Sequence, residues 1–251
     1  MLYLVEHFYS IQGEGKFVGT PSIFFRFGGC NLRCQAFGKY FIKGKIFYGC
    51  DTIRAVNKEF FGDNWQDVKS SDLVDILQDY LQNLDFKPHI VLTGGEPLIY
   101  ATNQHFYQFV KHLIENGFIV TIETNATIKI DFKKFPAYKD VVFALAIKLS
   151  NSGELYEKRV NKKVIDGYIK NSRFSFFKFT LDSGIIQRGA FEEIVDIVEP
   201  YPEIEIFCMP LGDKIDIIKK HDKAVIEFCL IYGFIYSDRV QVRVWNREKR
   251  R

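Results

Sequence analysis

Residues 22–34 read Ser22-Ile23-Phe24-Phe25-Arg26-Phe27-Gly28-Gly29-Cys30-Asn31-Leu32-Arg33-Cys34. The aromatic and β-branched run has the composition of a strand, and its glycine pair releases the chain into a loop carrying two thiols. Runs of the same kind recur at 89–93, 118–123, 141–146, 173–180, 204–209 and 240–245, which predicts seven strands. Helical spacing lies between several of them. Leu73, Ile76, Leu77, Tyr80, Leu81 and Leu84 follow it behind Ser70 or Ser71 as N-cap, and Phe106, Phe109, Val110, Leu113 and Ile114 follow it up to Gly117. Further helices are expected over 154–170, 190–199 and 214–232, the last closed by Gly233. Strand–helix alternation predicts an α/β fold with a mainly parallel sheet, and periodicity alone leaves an open doubly wound sheet and an incomplete barrel equally open. The segment 124–140, interrupted by Pro136, is short for a crossover helix. With no internal repeat and no linker-like tract, residues 1–251 are expected to form one domain.

Composition bounds the function. The chain has 251 residues, 47% hydrophobic and 26% charged, enough to bury a sizeable core. A net charge of +3, from 34 Lys and Arg against 31 Asp and Glu, gives no electrostatic reason to expect nucleic acid or a membrane surface as partner. The basic tail at 246–251 reads as a solvated terminus. No apolar stretch approaches the ~20 residues of a membrane span and the start lacks a signal-peptide pattern, so a cytoplasmic protein is expected. Five cysteines, three of them close together, fit metal binding or catalysis better than a disulfide framework. Cys208 and Cys229 sit in apolar surroundings and read as buried structural thiols.

Cys30, Cys34 and Cys50 all follow the C-terminal edge of one strand. A cubane cluster held by three thiolates keeps its fourth iron open for a small ligand. A structural zinc site wants four Cys or His, and no His lies between residues 8 and 88. Because Cys50 is distant from Cys34, spacing alone leaves unrelated thiols as an alternative. The next strand runs into Thr93-Gly94-Gly95-Glu96-Pro97, which offers close backbone approach and a carboxylate; a glycine-rich strand-to-helix turn is its plainer reading.

CNLRC, a later Cys and TGGEP, in this order and each at a strand end, resemble the radical S-adenosylmethionine superfamily. Ile11-Gln12-Gly13-Glu14-Gly15, Arg26, Cys50-Asp51-Thr52 and Lys148-Leu149-Ser150-Asn151-Ser152-Gly153 more narrowly resemble the 7-carboxy-7-deazaguanine synthases. The resemblance runs from the start to about Gly153, with weaker echoes at Met209-Pro210 and Gln241 to Trp245. It implies an incomplete, modified (β/α)6-type radical SAM barrel with a [4Fe–4S] cluster on Cys30, Cys34 and Cys50. It places S-adenosylmethionine against Gly49, Asp51, Gly94, Gly95, Glu96, Glu123, Asn125, Ala146 and Lys148, and magnesium at Thr52. It also implies a 6-carboxy-5,6,7,8-tetrahydropterin substrate held by Ile11, Gln12, Gly13, Glu14, Arg26 and Thr93. The reaction implied is hydrogen abstraction at the pterin C6, ring contraction and loss of ammonia. A homodimer and an external reductant such as flavodoxin come with it.

The residue chemistry suits that assignment. The Arg26 fork matches a substrate carboxylate, with an ordinary ion pair as its plainer role. Gln12 and Glu14 suit the donor-rich edge of a pterin, though a tight turn would use them too. Thr52 offers magnesium a hard neutral oxygen, and equally a helix cap. Three departures from the family stand out. Residues 35–49 separate Cys34 from Cys50, where the family has two residues; KYFIKGKIFYG there predicts a hairpin turning at Lys43-Gly44-Lys45. This hairpin is expected to cover the cluster, or to offer Lys39, Lys43 and Lys45 to an acidic reductant. Ala146-Ile147-Lys148 replaces Ser-Pro-Lys, and Ala126 replaces a common glycine. Two rivals remain at this stage: a glycyl-radical activating enzyme, and a non-catalytic iron–sulfur module.

Overall fold

The computed structural model describes residues 1–42, 44–246 and 248. Its strands are β1 (Tyr3–Ile11), β2 (Pro21–Phe27), β3 (Lys39–Ile42), β4 (Lys45–Tyr48), β5 (Gln66–Asp67), β6 (His89–Gly94), β7 (Val120–Thr124), β8 (Val142–Leu145), β9 (Phe174–Leu181), β10 (Ile206–Pro210) and β11 (Ile235–Tyr236). Its helices are α1 (Ile53–Val56), α2 (Lys58–Phe61), α3 (Ser70–Leu81), α4 (Gln104–Glu115), α5 (Tyr156–Arg159), α6 (Lys162–Asn171), α7 (Ser183–Gln187), α8 (Ala190–Val198), α9 (Ile215–Tyr232) and α10 (Val240–Trp245). Nine strands form one sheet in the order β11-β10-β9-β8-β7-β6-β2-β1-β5, while β3 and β4 pair separately. Within the nine-stranded sheet β2, β6, β7, β8, β9, β10 and β11 pair in parallel, β1 runs antiparallel to both β2 and β5, and the separate β3–β4 pair is antiparallel. The six parallel strands β2 and β6 to β10 make the incomplete (β/α)6 barrel that the alternation left open.

Alternation along the strands explains both faces. Ile23, Phe25 and Phe27 of β2, Ile90 and Leu92 of β6, Ile122 of β7, Phe143 of β8 and Phe177 and Phe179 of β9 point outward. They share one core with Leu73 and Leu77 of α3, Phe106 and Phe109 of α4, Tyr168 of α6 and Phe228 of α9. The intervening residues face inward, and here the sequence changes character along each strand. Near the strand starts most inward positions are apolar, Phe24 and Val91 packing with Phe8 and Val142, Ala144 and Phe176 with Phe207, around a buried His89–Thr121 hydrogen bond of 2.8 Å. Two residues further on they become Arg26, Thr93, Glu123, Lys178 and Thr180, which line a cavity. A two-residue period therefore puts a largely apolar plug at the bottom of the barrel and a charged chamber at the carboxyl ends of the strands, the usual place for function in such folds.

Several sequence expectations change. Residues 240–245 form helix α10 rather than a strand: Val242 is buried but Val244 is 62% exposed, so the alternating valines have no sheet to fill. Residues 154–170 break into α5 and α6, because the Asn161 side chain accepts from Val164 N at 3.2 Å and starts a new helix. Lys69, one residue before Ser70, is the N-cap of α3. Between β7 and β8 only a short 3-10 turn, Pro136–Asp140, forms. β1 carries Glu6, His7 and Ser10 among its apolar residues, and this mixture masks a strand that the run-based reading passes over. Residues 39–48 do form the expected hairpin, with Ile42 opposite Lys45 and Gly44 at φ 76°. Lys43, and Arg247 with 249–251 of the tail, lie outside the described residues.

Candidate functional site

The cavity at the strand ends measures about 350 Å³, in the range of small-molecule sites. All three motif cysteines line it. Cys30 leaves β2 through Gly28-Gly29, with Gly29 at φ 103°, and Cys34 itself takes the left-handed conformation at φ 45°. The hairpin then returns the chain: Gly49 N donates to Gly38 O at 3.1 Å, closing the hairpin's base and delivering Cys50 beside the other two. The insertion between Cys34 and Cys50 therefore loops out without separating the thiols. Among the described residues no three Cys, His, Asp or Glu converge as on a single ion. A cubane places its ligands on different irons, so three thiols spread round one chamber suit it.

Burial disfavours the thiolate at all three cysteines in the absence of metal. Burial, then the charge of Glu96, pushes the Cys30 thiol up to about 12, while Leu32 N–H points at its sulfur from 3.4 Å. Burial pushes Cys34 up to about 11 and also raises Cys50, and Lys148 acts against both shifts. Without metal the thiols keep their protons near neutrality, so loading the site requires their displacement. Glu154, which the sequence reading passes over, accepts from the backbone N–H of Arg33 and, at 3.3 Å, of Cys34. It fastens the cysteine loop to the 149–154 segment, where Gly153 at φ 78° packs on Ala36.

Gly94 and Gly95 work first against protein. A Cβ on Gly94 would lie 2.0 Å from Phe27 O, and one on Gly95 2.2 Å from Gly29 O. Gly95 N and Glu96 N donate to Phe27 O and Gly29 O at 3.1 and 2.8 Å, so the glycine loop lies directly on the loop that presents Cys30. Both glycines also line the cavity, but Glu96 and Gly49 do not. Glu96 is buried and accepts from Leu98 N, Thr124 Oγ1 and Asn125 N at 3.0, 2.9 and 2.6 Å. Its carboxylate thus joins the end of β7 to the glycine loop instead of opening into the chamber. Asn125 extends this join, donating from Nδ2 to Asn31 Oδ1 of the cysteine loop at 2.9 Å. Ala126, in the place of a common glycine, adopts φ 57°, a conformation that glycine takes without strain.

Across the chamber runs an ionic chain. Glu14 Oε2 meets Lys178 Nζ at 2.8 Å, and Lys178 meets Glu123 Oε1 at 3.1 Å. Glu14 Oε1 accepts from Arg239 Nε at 2.8 Å and Gln241 Nε2 at 2.6 Å, and Arg239 continues to Asp51. Burial alone would raise the Glu14 carboxyl, but Lys178 and Arg239 hold it well below the usual range. Burial would likewise lower Lys178, yet Glu123 and Glu14 keep it firmly charged. Three of the roughly four acceptor positions of Glu14 are thereby used, leaving about one for a ligand. Thr93 donates to Glu123 Oε2 at 2.7 Å, so two expected ligand contacts are also partners of each other. Arg26 lines the cavity with its Nε held by Glu6 at 2.8 Å: the ion pair and the cavity position coexist. Gln12 Oε1 accepts from Glu14 N at 3.2 Å, shaping the turn, and Ile11 and Gly13 line the chamber beside it. The Thr52 hydroxyl sits 3.0 Å from Cys50 Sγ and makes no helix-capping bond. Lys148 Nζ donates to Ala146 O at 2.9 Å, and both residues line the cavity, as do Asp51 and Asn125. Lys178 and Arg239 line the chamber although sequence reasoning did not single them out, Lys178 having carried a signal as a lysine inside an apolar strand; Gln241, which also lines it, stood in the sequence only at the edge of a weak family echo.

Comparison with known proteins agrees with this architecture. No protein-family model matches the chain. It is 27% identical over 265 aligned positions to the 7-carboxy-7-deazaguanine synthase of Rhodopirellula baltica, covering 99% of this chain and 88% of that protein. The chain is similar to the 7-carboxy-7-deazaguanine synthases. The synthase of Halobacterium salinarum is 36% identical over 126 residues, half of this chain and 40% of its own length. That of Methanopyrus kandleri is 35% identical over 152 residues, 61% of this chain and 59% of its own. The chain's matches thus span less than two thirds of these last two synthases. In fold, the chain superposes on QueE from Escherichia coli with a TM-score of 0.65 at 23% identity, covering 94% and 93% of the two chains. A more distant fold neighbour is anSMEcpe with bound AdoMet, at TM-score 0.51 and 13% identity, covering 88% of this chain and 63% of that one.

Proposed function

We propose that this chain is a radical S-adenosylmethionine enzyme converting 6-carboxy-5,6,7,8-tetrahydropterin into 7-carboxy-7-deazaguanine with release of ammonia, a carbon–nitrogen lyase serving queuosine and related deazapurine synthesis. The observation that carries it is the meeting of Cys30, Cys34 and Cys50 in one chamber with Arg26 and the Gly94-Gly95 loop, despite the insertion. When bound, a [4Fe–4S] cluster with S-adenosylmethionine supplies the one-electron chemistry that makes a hydrogen-abstracting radical.

The protein's part is binding, orientation and exclusion of water. Cys30, Cys34 and Cys50 hold the cluster, with Lys148 favouring the thiolates of the latter two. Gly94, Gly95 and Asn125 form the wall for the cofactor's methionyl part, together with Asp51, Ala146 and Glu123; Glu96 and Gly49 support that wall from behind. Arg26, its Nε fixed by Glu6, presents the rest of its guanidinium to the substrate carboxylate. Glu14 offers its remaining acceptor position to the pterin's donor edge, beside Gln12, Ile11, Gly13 and Thr93. Thr52 would supply a hard neutral oxygen to a magnesium ion, which would help to hold the substrate's oxygens. The setting proposed is a cytoplasmic homodimer fed by an external one-electron donor. No helix among the described residues is long and apolar enough to cross a membrane.

The test is anaerobic reconstitution with iron and sulfide, reduction by dithionite, and product analysis. Formation of 5′-deoxyadenosine together with 7-carboxy-7-deazaguanine, dependent on the carboxypterin, supports the proposal. No 5′-deoxyadenosine under any reducing condition overturns it, and its formation only in the presence of a partner protein points to a glycyl-radical activating enzyme instead.

A further inference from the structure

We propose that Glu154 is a positioning residue for the cluster: it clasps the cysteine loop in its ligand-ready shape and, as an anion beside Cys34, keeps the reduction potential of the bound cluster low. The inference rests on the function proposed above, which puts a [4Fe–4S] cluster on these cysteines. Glu154 follows β8, which stands three places from β2 in the sheet, yet it reaches the loop that leaves β2. A single carboxylate oxygen, Oε1, accepts from the backbone N–H of both Arg33 and Cys34, the latter at 3.3 Å. Cys34 is the residue held at φ 45°. A non-glycine residue keeps that conformation only where its surroundings impose it, and the Glu154 carboxylate is the group that meets it there.

The support behind the carboxylate is firm. In the 3-10 turn Ser150–Ser152, Ser152 is fully buried and its Oγ donates to Leu149 O at 2.7 Å, while Glu154 N donates back to that Oγ at 3.3 Å. Asn151 Nδ2 donates to Thr180 O and Asp182 Oδ2 at 3.0 and 2.9 Å, and Arg159 ties Lys148 O to Glu193. Glu154 therefore extends from a fixed base. Its charge adds a second effect. Reduction puts one more negative charge on a cluster, so a fixed carboxylate nearby opposes it, and an N–H turned to that carboxylate is one donor fewer for the sulfurs. The charge reaches the thiol: burial foremost raises Cys34, and Glu154 adds to the rise while Lys148 acts against it. A cluster held at low potential, once an external donor has reduced it, passes its electron on more readily. A mere loop anchor would need the acceptor oxygen and not the charge, and glutamine would serve it equally.

The test compares the wild type with Glu154→Gln, which keeps an acceptor oxygen and drops the charge, and Glu154→Ala, which drops both. In the metal-free proteins, amide hydrogen exchange of the peptide spanning Arg33 and Cys34 reads the clasp. Exchange should be faster in Glu154→Ala than in the wild type and return close to the wild-type rate in Glu154→Gln. After anaerobic reconstitution, retention of iron against a chelator should fall about tenfold or more in Glu154→Ala and hold in Glu154→Gln. A redox titration followed by electron paramagnetic resonance, without S-adenosylmethionine, should place the Glu154→Gln midpoint above that of the wild type. Unchanged exchange and iron retention in Glu154→Ala overturn the clasp. An unchanged or lower midpoint in Glu154→Gln overturns the role of the charge, and loss of iron from it as fast as from Glu154→Ala overturns the division between hydrogen bond and charge. A wild type that takes up no [4Fe–4S] cluster instead sinks the proposed function, and hydrogen exchange then still decides the clasp.

Discussion

Glu96 illustrates what a motif letter can and cannot tell. Its place after two glycines was readable from sequence, whereas its direction depends on Thr124 and Asn125, donors from the end of a different strand. Burial pushes its carboxyl up to about 7, and the three hydrogen bonds it accepts act against that shift. A raised acid contributes stability that is complete below the ordinary carboxyl pKa near 4.5 and is lost as pH climbs to about 7. The amount is on the order of 3 kcal/mol. His89 has the opposite sign: burial lowers it to about 4, so its contribution is complete above 6.5 and is lost as pH falls toward 4. The two oppose each other between these limits, so the wild-type profile alone does not separate them. Chemical denaturation of the metal-free protein does, because Glu96→Gln should gain on the wild type as pH rises from about 5 to about 7.5. Parallel profiles would contradict the assignment.

At the scale of elements, strand runs and helix spacing were legible because most of them answer to one outer core. The exceptions have local causes. The valines of α10 alternate without a sheet to enter, Asn161 interrupts a continuous amphipathic stretch, and β1 hides its apolar residues among polar ones. The cysteine motif was legible as chemistry but not as geometry, since the sequence gap before Cys50 says nothing of a hairpin whose base closes at Gly38 and Gly49. The glycine loop was readable as a close approach, but its nearest neighbour is the backbone of Phe27 and Gly29 that leads into Cys30. Gly95→Ala is therefore expected to disturb cluster assembly more than cofactor affinity. The added methyl would meet Gly29 O at 2.2 Å and Cys30 Cβ at 3.0 Å, and backbone has little room to give. Iron content after reconstitution should fall, with a stability loss of about 1–3 kcal/mol. Full iron content in this variant would show that the two loops are less tightly coupled than their contacts indicate.

Over the whole molecule, the sheet stays open, with β11 and β5 as its edge strands, and segments near the chain's two ends are joined beside the chamber. Val240 N donates to Gly13 O at 3.0 Å, Gly15 N to Ser237 Oγ at 2.7 Å, and Arg239 bridges Glu14 and Asp51. Such contacts join residues up to 227 positions apart, and no local pattern announces them. This is why Lys178 and Arg239 escaped the sequence reading although Glu14 and Asp51 did not, and why Gln241 entered it only within a weak family echo. Arg239→Met should leave Glu14 and Asp51 short of a cation and cost about 3 kcal/mol or more in a denaturant titration; a loss well under 1 kcal/mol would mean the ends are held by packing instead.

The account stands on one assertion: the insertion-split cysteines rejoin in a single cluster site. The most direct measurement is iron and sulfide content with electron paramagnetic resonance of the anaerobically reconstituted protein, wild type beside Cys50→Ala. The wild type should hold about four irons and four sulfides per chain and give a [4Fe–4S] signal on reduction that changes when S-adenosylmethionine is added, and Cys50→Ala should lose most of it. A complete, S-adenosylmethionine-responsive cluster in Cys50→Ala would contradict the account.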